Sequence, residues 1–592
     1  MSRPHDATAA ETIRTVSRRR YREWLQAPLS AEMRAELQQL QDAEIVDRFY
    51  RHLAFGTGGM RGELGAGTNR MNVYVVRRAT AGLARYLKAT VEARNKTPSV
   101  VIAYDSRRMS RAFAEAAAEV LAAHGVIARL FPDVTPTPEL SFAVRHLGAD
   151  AGIVITASHN PPEYNGYKVY GADGGQITPA FADRLMAEIA EIEDVFSVPA
   201  MPVAEGRQKG LIRDIDPAVE SAYIERIAGL VVRPDIVRDI GNRLVIVYTP
   251  LHGTGARPVM AALRAAGFTN VHLVDGQAAP DGAFPTVRVP NPEEPDAFAL
   301  AIETAKRLNA DIALATDPDV DRVGAAVRTP SGDYVLLNGN TLGALMLDYL
   351  VTQRAALGTL PENGAVVKTI VTAELGRKIA ERHGLTVIDV LTGFKFIGEK
   401  IGEFERTGAH TFVFGYEESY GYLAGDFVRD KDAVQAVVLL AEVAAYHKAH
   451  GRTLLEAVDR LFAEYGAHVE RLVAMTLKGP EGAARIGRMM ADLRDRPPET
   501  VGARPVVERQ DYLAGLAVRR ESDGKWTERR LTLPASDVLK YVLDDGSWVA
   551  VRPSGTEPKI KIYAGAVAET KAEAEGKADA LVAAVVERLE TV

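Results

Sequence analysis

Ser158 stands in Thr156-Ala157-Ser158-His159-Asn160-Pro161-Pro162, directly after the apolar run 152–155. That run is too short for a helix and is bounded by turn formers, so it reads as a buried strand. The two prolines end it and Asn165-Gly166 turns the chain again. Ser158 therefore sits just past the carboxyl end of a strand, where open α/β sheets place ligands. A second stretch, Asp317-Pro318-Asp319-Val320-Asp321-Arg322, alternates three carboxylates. An extended loop turns all three towards one hard cation, and oxygen-only donors select Mg²⁺, Mn²⁺ or Ca²⁺. An EF-hand is excluded, because Arg322 replaces the turn glycine and Arg328 stands where the bidentate glutamate belongs. With Mg²⁺ the remaining coordination positions go to water or phosphate oxygen, which implies a phosphorylated partner.

Two further loops fit such a partner. Arg552-Pro553-Ser554-Gly555-Thr556-Glu557-Pro558 offers a guanidinium, two hydroxyls and exposed amides, a set suited to a phosphate monoester. Glu417 and Ser419, in Gly415-Tyr416-Glu417-Glu418-Ser419-Tyr420-Gly421, offer an acceptor and a donor for vicinal sugar hydroxyls. Around Arg61, the stretch 55–62 holds four glycines, and its spacing matches neither nucleotide-binding fingerprint. It suits a backbone that comes close to an anion. Lys168 can return to the Ser158 site as a general acid or base if burial or neighbouring cations lower its pKa. His159 is adjacent to Ser158, and neighbours on an extended backbone point apart. No Ser–His pair is expected, and His159 reads as polarising a bound phosphate or capping the loop. Singly, each stretch also reads as an ordinary turn.

The elements that must position these loops alternate along the chain. Strands are expected over 99–104, 127–131 and 153–156, with an alanine-rich helix over 111–124, and the Ser158 loop follows. A second pass runs through strand 243–248, helix 256–266, strand 271–274, helix 296–308 and strand 311–316, and ends in the aspartate loop. A third runs through strand 365–370, helix 373–383, strand 385–390, helix 396–404 and strand 411–414, and ends in the Glu417 loop. Such alternation predicts three similar α/β modules with mixed or parallel sheets. After about Gly466 the character changes, with short strands near 469–476 and 548–551, the alternating strand 559–563 and a final helix, predicting a separate α+β domain. The expected domains are 1–215, 216–330, 331–463 and 464–592. Residues 1 to about 50 read as helical with Ser30 as a cap, and the Pro-rich stretches near 285–295 and 497–505 as surface loops.

Composition excludes several classes. An apolar share of 47% and a charged share of 25% are those of an ordinary globular protein, too long for one core. The absence of cysteine rules out disulfides, thiolate catalysis and Cys-ligated metal sites. A net charge of −7 argues against a nucleic-acid surface. The polar, arginine-rich N-terminus is no secretory signal, and the most apolar helical stretch, 433–446, is interrupted by Gln435 and Glu442 and too short to span a bilayer. No membrane or nucleic-acid partner is expected, and the expected location is cytoplasmic.

Taken in order, TASHNPPEYNGYK at 156–168, DPDVDR at 317–322, GYEESYG at 415–421 and RPSGTEP at 552–558 resemble the four signature loops of the α-D-phosphohexomutase family. GTGGMRG at 56–62, TGFKFIGE at 392–399 and VRDKDA at 428–433 resemble the branch holding bacterial α-phosphoglucomutases and animal phosphopentomutase and glucose-1,6-bisphosphate synthase. The resemblance covers nearly the whole chain and implies four domains around a central cleft, the first three sharing one topology. It implies that Ser158 carries a phosphoryl group and that Asp317, Asp319 and Asp321 hold Mg²⁺ together with that phosphate. Arg61, His159 and Lys168 would assist transfer. Glu417 and Ser419 would grip sugar hydroxyls, with Arg322, Phe394, Lys395 and Lys431 nearby. Arg552, Ser554, Gly555 and Thr556 would hold the phosphate that is not reacting. The implied activity interconverts a sugar 1-phosphate and 6-phosphate, with a sugar 1,6-bisphosphate as activator and glucose phosphate favoured over mannose or pentose phosphate. Oligomeric state is left open. Two rivals differ in class. A haloacid-dehalogenase-like phosphatase would use an aspartate of the Asp317-Pro318-Asp319 stretch, Asp317 or Asp319, as nucleophile, although Asp321 stands where Thr or Val is usual. A phosphosugar sensor would only bind, and leaves Ser158 and the aspartates without purpose.

Overall fold

In the computed structural model, residues 4–56, 58–91, 96–477, 479–554 and 559–592 are described. Three times the chain lays down one four-strand unit. In the first, the parallel strands Ser99–Tyr104, Ile127–Leu130 and Ala151–Ile155 are followed by the antiparallel Tyr164–Gly171. The second repeats this with Ile246–Thr249, Val271–Leu273, Ile312–Thr316 and Val323–Arg328. The third uses Gly364–Thr369, Thr386–Val390, Thr411–Glu417 and Gly421–Leu423. In every unit the spatial order is second, first, third, fourth. Each sheet is therefore mixed, and the connection between its third and fourth strands is a hairpin. The Ser158 loop, the aspartate loop and the Glu417 loop are that same hairpin in three copies.

Burial explains why these strands read as unbroken apolar runs. Val100 and Ile102 pack into one core while Val101 and Ala103 pack into another, so both faces of the first sheet are covered by helices. The covering helices of the first unit are Ser110–Ala123 and Thr137–His146, and Ala256–Ala266 and Ala299–Leu308 hold the equivalent places in the second. The strand Gly59–Glu63 extends the first sheet by pairing with Tyr164–Gly171, which sets Arg61 opposite Gly166. After Gly466 the sheet is antiparallel throughout, from Ala467–Thr476 to the outer strand Trp526–Arg530, and helices Gly479–Asp495 and Lys571–Glu590 accompany it.

Several boundaries differ from expectation. The third-unit strand runs on to Glu417 instead of stopping at 414, so Glu417 closes a strand and only 418–420 form the turn. The stretch 285–295 is not all surface: Pro290, Asn291 and Pro292 are buried, because Glu293 beside them reaches Arg322. The apolar helix Ala433–Ala449 is buried between the modules. Its Glu442 accepts hydrogen bonds from the Val232 and Arg233 N–H groups at 2.8 and 2.6 Å and from the Tyr349 hydroxyl at 2.8 Å. Among the described residues no helix is long and apolar enough to cross a membrane. The N-terminal extension forms Pro4–Gln26, Ala31–Gln38 and Asp42–Phe49, with Ser30 accepting from the Met33 N–H as the cap. Trp24 joins this extension to the first module, edge-on to Phe49, Tyr74 and Phe196.

Candidate active site

Each of the three hairpins holds one non-glycine residue in the left-handed region: Ser158 (φ 51°), Val320 (φ 59°) and Tyr420 (φ 63°). Such a conformation is unfavourable for a residue with a Cβ, above all a β-branched one, and persists where surrounding structure fixes it. At Ser158 the fixing group is Arg107. Its buried guanidinium donates to the carbonyls of Ser158 (2.5 Å), Pro161 (2.8 Å), Tyr164 (3.1 Å) and Asn160. It is also paired with Asp105 at 3.4 Å and lies over the Phe284 ring. The Ser158 N–H donates to Thr156 Oγ1 at 2.8 Å. Two close approaches need glycine here. A Cβ on Gly166 would stand 2.5 Å from the Thr156 carbonyl oxygen, and one on Gly253 would collide with Pro318 of the aspartate loop.

The turn brings Ser158 Oγ to Asp317 Oδ2 at 2.5 Å. It also corrects the expectation for His159. The left-handed backbone at Ser158 rotates the two neighbouring side chains to the same side, and Oγ lies 3.2 Å from His159 Nδ1. A serine hydroxyl has one proton, and with that proton on Asp317 the His159 contact is made by an Nδ1–H tautomer. Burial, then the nearby Arg322 and Arg61, hold the imidazole well below its ordinary pKa, so it is neutral.

Asp317, Asp319 and Asp321 are all buried, and one ligand oxygen from each lies within 4.8 Å of the others. Asp317 Oδ1 accepts from the N–H groups of Asp321 (3.1 Å) and Arg322 (3.0 Å), which curls the loop around it. Lys168 Nζ reaches Asp319 Oδ2 at 2.8 Å and Asp321 Oδ2 at 3.3 Å, and Lys431 Nζ reaches Asp321 Oδ2 at 3.2 Å. Burial and the two neighbouring carboxylates push Asp317 well above the usual carboxylate range. Burial acts in the same sense on Asp319 and Asp321 but is outweighed, at Asp319 by Lys168 and at Asp321 by Lys431, Lys168 and Arg322. Burial also works against the Lys168 charge, yet Asp319 and Asp321 hold the ammonium above its ordinary value. This geometry favours Lys168 as a cation or acid over a base. Asp319 Oδ1 and Asp321 Oδ1 are buried with no hydrogen-bond donor. Two donor-less carboxylate oxygens beside a third buried carboxylate fit a hard divalent cation.

The remaining predicted residues surround this cluster. Arg61 Nη1 donates to Asn160 Oδ1 at 2.7 Å. Arg322 pairs with Glu293 and with Asp321. Glu417 is raised by burial, which Lys431, Arg322 and a hydrogen bond from Ser419 oppose. Lys431 Nζ lies 5.7 Å over the Phe394 ring. Lys395 is lowered to about 8, first by burial and then by Arg552, with Glu399 opposing. A cavity of about 480 Å³ has His159, Glu293, Arg322, Glu417, Glu470 and Arg552 on its walls. That volume suits a small ligand. Arg552 pairs across a hairpin with Lys561, and the Ser554 N–H donates to the Lys559 carbonyl at 2.8 Å. Gly555 and Thr556 lie outside the described residues. Sequence reasoning missed Arg107, Glu293 and Thr137. Arg107 in Asp105-Ser106-Arg107, just after a buried strand, was the one signal open to it.

Comparison with known proteins agrees with this geometry. The chain matches the four family profiles described as phosphoglucomutase/phosphomannomutase, alpha/beta/alpha domains I, II and III and C-terminal domain, over residues 52–196, 221–332, 338–465 and 505–584. It is 39% identical over 518 residues to a phosphoglucomutase of Staphylococcus haemolyticus, covering 87% of this chain and 90% of that one. It is 36% identical over 543 residues to a phosphoglucomutase of Staphylococcus aureus, covering 91% and 94%. In fold it is similar to the phosphoglucomutase parafusin of Paramecium (TM-score 0.66, 15% identity, 91% and 95% covered). It is similar also to a phosphoglucomutase/phosphomannomutase family protein of Burkholderia thailandensis (TM-score 0.62, 19% identity, 90% and 97% covered). The chain therefore belongs to the phosphoglucomutase/phosphomannomutase family and is a phosphotransferase mutase acting on sugar phosphates.

Proposed function

We propose that this enzyme interconverts glucose 1-phosphate and glucose 6-phosphate through a phosphoserine at Ser158 and a glucose 1,6-bisphosphate intermediate. The observation that carries the reading is the Ser158 hydroxyl resting on Asp317, one of three buried carboxylates, at 2.5 Å. A covalent store splits the reaction into two transfers. Phosphoserine gives its phosphoryl group to the free sugar hydroxyl, whose proton ends on Ser158 Oγ. The bisphosphate then returns its other phosphoryl group to Ser158, and the proton goes to the sugar oxygen released. Bound Mg²⁺, held by Asp317, Asp319, Asp321 and the Ser158 phosphate, would neutralise charge on the transferring group.

The chain's own groups do the rest. Lys168, held charged, and Arg61, beside Asn160, stabilise the equatorial phosphoryl oxygens. Glu417 and Ser419 accept and donate to sugar hydroxyls. Arg552 and Ser554, with Gly555 and Thr556, hold the distant phosphate, assisted by Lys395. Because that clamp contacts only a phosphate, it serves both orientations of the sugar. Glucose is favoured by the phosphoglucomutase names of the relatives at 36 and 39% identity. The test is a restart assay. Enzyme stripped of phosphate should be inactive on glucose 1-phosphate until catalytic glucose 1,6-bisphosphate is added. Full activity of stripped enzyme without any bisphosphate contradicts the reading, and faster turnover of mannose 1-phosphate or ribose 1-phosphate reassigns the sugar.

A further inference from the structure

Thr137 opens the helix Thr137–His146 of the first module, and it meets Asp319 of the second, 182 residues away in sequence, twice. Its N–H donates to the Asp319 carbonyl at 2.9 Å, and its hydroxyl donates to Asp319 Oδ2 at 2.9 Å. Lys168 Nζ reaches the same Oδ2 at 2.8 Å. Oδ2 thus takes two donors, while Oδ1 of the same carboxylate is buried with none. A carboxylate held by one oxygen in this way can rotate little about its side-chain bonds, and its bare oxygen is left to bind a cation.

We propose that Thr137 is a positioning residue for the metal site, fixing Asp319 so that Oδ1 is preset as a ligand. The inference rests on the reading of Asp317, Asp319 and Asp321 as metal ligands. Lys168 alone would pull Oδ2 with a flexible four-carbon arm, whereas the Thr137 hydroxyl is anchored to the same backbone that already grips the Asp319 carbonyl. The two contacts therefore define both the place and the rotation of Asp319. They do so from the module that bears Ser158, which ties the metal loop to the serine loop in one register. Partners outside the ligand shell commonly change metal affinity by about 10–100-fold when removed. The competing account is that Thr137 merely docks one module on the other. The backbone N–H bond suffices for that, and the hydroxyl would be dispensable.

Thr137→Val separates the two, since it keeps shape and the N–H and removes only the hydroxyl. Mn²⁺ binding to the full-length protein, read from the free-ion electron paramagnetic resonance signal, should weaken by about 10–100-fold in Thr137→Val. Thr137→Ser should restore it, and the thermal midpoints should remain close to wild type. In turnover, the Mg²⁺ concentration for half-maximal rate should rise while kcat at saturating Mg²⁺ stays near wild type. If Thr137→Val does not fold, Thr137→Ala carries the same expectation. Unchanged Mn²⁺ affinity in a folded hydroxyl-less variant overturns the role of Thr137 and leaves the metal site standing. A wild-type protein that binds Mn²⁺ no better than Asp319→Ala overturns the metal reading and this inference together.

Discussion

On the proposed reading of Lys395 as part of the phosphate clamp, a single ammonium links pH to substrate binding. Burial and Arg552 lower its pKa to about 8, against the opposing Glu399. A group whose folded pKa is depressed in this way is charged below that value and neutral above it. Phosphate monoesters are dianionic from about pH 6 upward, so the change near 8 belongs to the lysine. KM for glucose 1-phosphate should therefore be flat from neutral pH to just below 8. Above that it should rise, by up to about tenfold per pH unit if binding requires the ammonium. Lys395→Arg keeps its charge and should remove the break. A KM profile that is flat through pH 9 in the wild type would detach Lys395 from the phosphate clamp. At this scale the sequence was legible where a reactive side chain follows an apolar run, as Ser158 and the three aspartates do. It was silent on Thr137 and Glu293, whose partners lie far along the chain. It misled at His159, because nothing in Ser158-His159 announces a left-handed backbone.

The hairpin between third and fourth strands carries the candidate site residues, and it is repeated three times with a left-handed residue in each copy. Its precision depends on close backbone approach at Gly166, whose added Cβ would press on the Thr156 carbonyl 2.5 Å away. Gly166→Ala should push the serine loop outward and also press on the edge strand Gly59–Glu63, because the added Cβ would stand 2.9 Å from the Met60 carbonyl oxygen as well. A displacement of about 1 Å in a reacting group can cost on the order of 10²-fold in rate. We expect a loss of that size in kcat together with a lowered melting temperature, since overpacking at a buried backbone contact is destabilising. A variant with wild-type kcat would show that the loop tolerates the shift. Strand and helix order was readable, because fully buried parallel strands leave continuous apolar runs and their helices leave amphipathic ones. Strand ends were not. Glu417 belongs to its strand because its backbone pairs with Gly421 across the tight turn, a pairing with no hydrophobic signature. The topology of the repeat was likewise hidden, since alternation does not say which strand lies beside which.

At the scale of the molecule, four modules contribute walls to one cavity, among them His159 of the serine loop, Arg322 of the aspartate loop, Glu417, and Arg552 with Lys561. The N-terminal helices, which had no readable role, are joined to the first module through Trp24. The whole arrangement rests on one covalent assignment, Ser158 and not an aspartate as the phosphoryl carrier. A phosphoserine is a monoester that resists hydroxylamine, whereas an aspartyl phosphate is a mixed anhydride that hydroxylamine cleaves. Both would be charged by the same bisphosphate and need the same metal, so rates do not distinguish them. The decisive measurement is phosphopeptide mapping by mass spectrometry of the enzyme after incubation with glucose 1,6-bisphosphate, with and without hydroxylamine at neutral pH. One phosphate is expected on the peptide containing Ser158, stable to hydroxylamine and absent from Ser158→Ala. Phosphate that maps to the peptide containing Asp317–Arg322 and is released by hydroxylamine would contradict it, and would make the serine loop a binding loop.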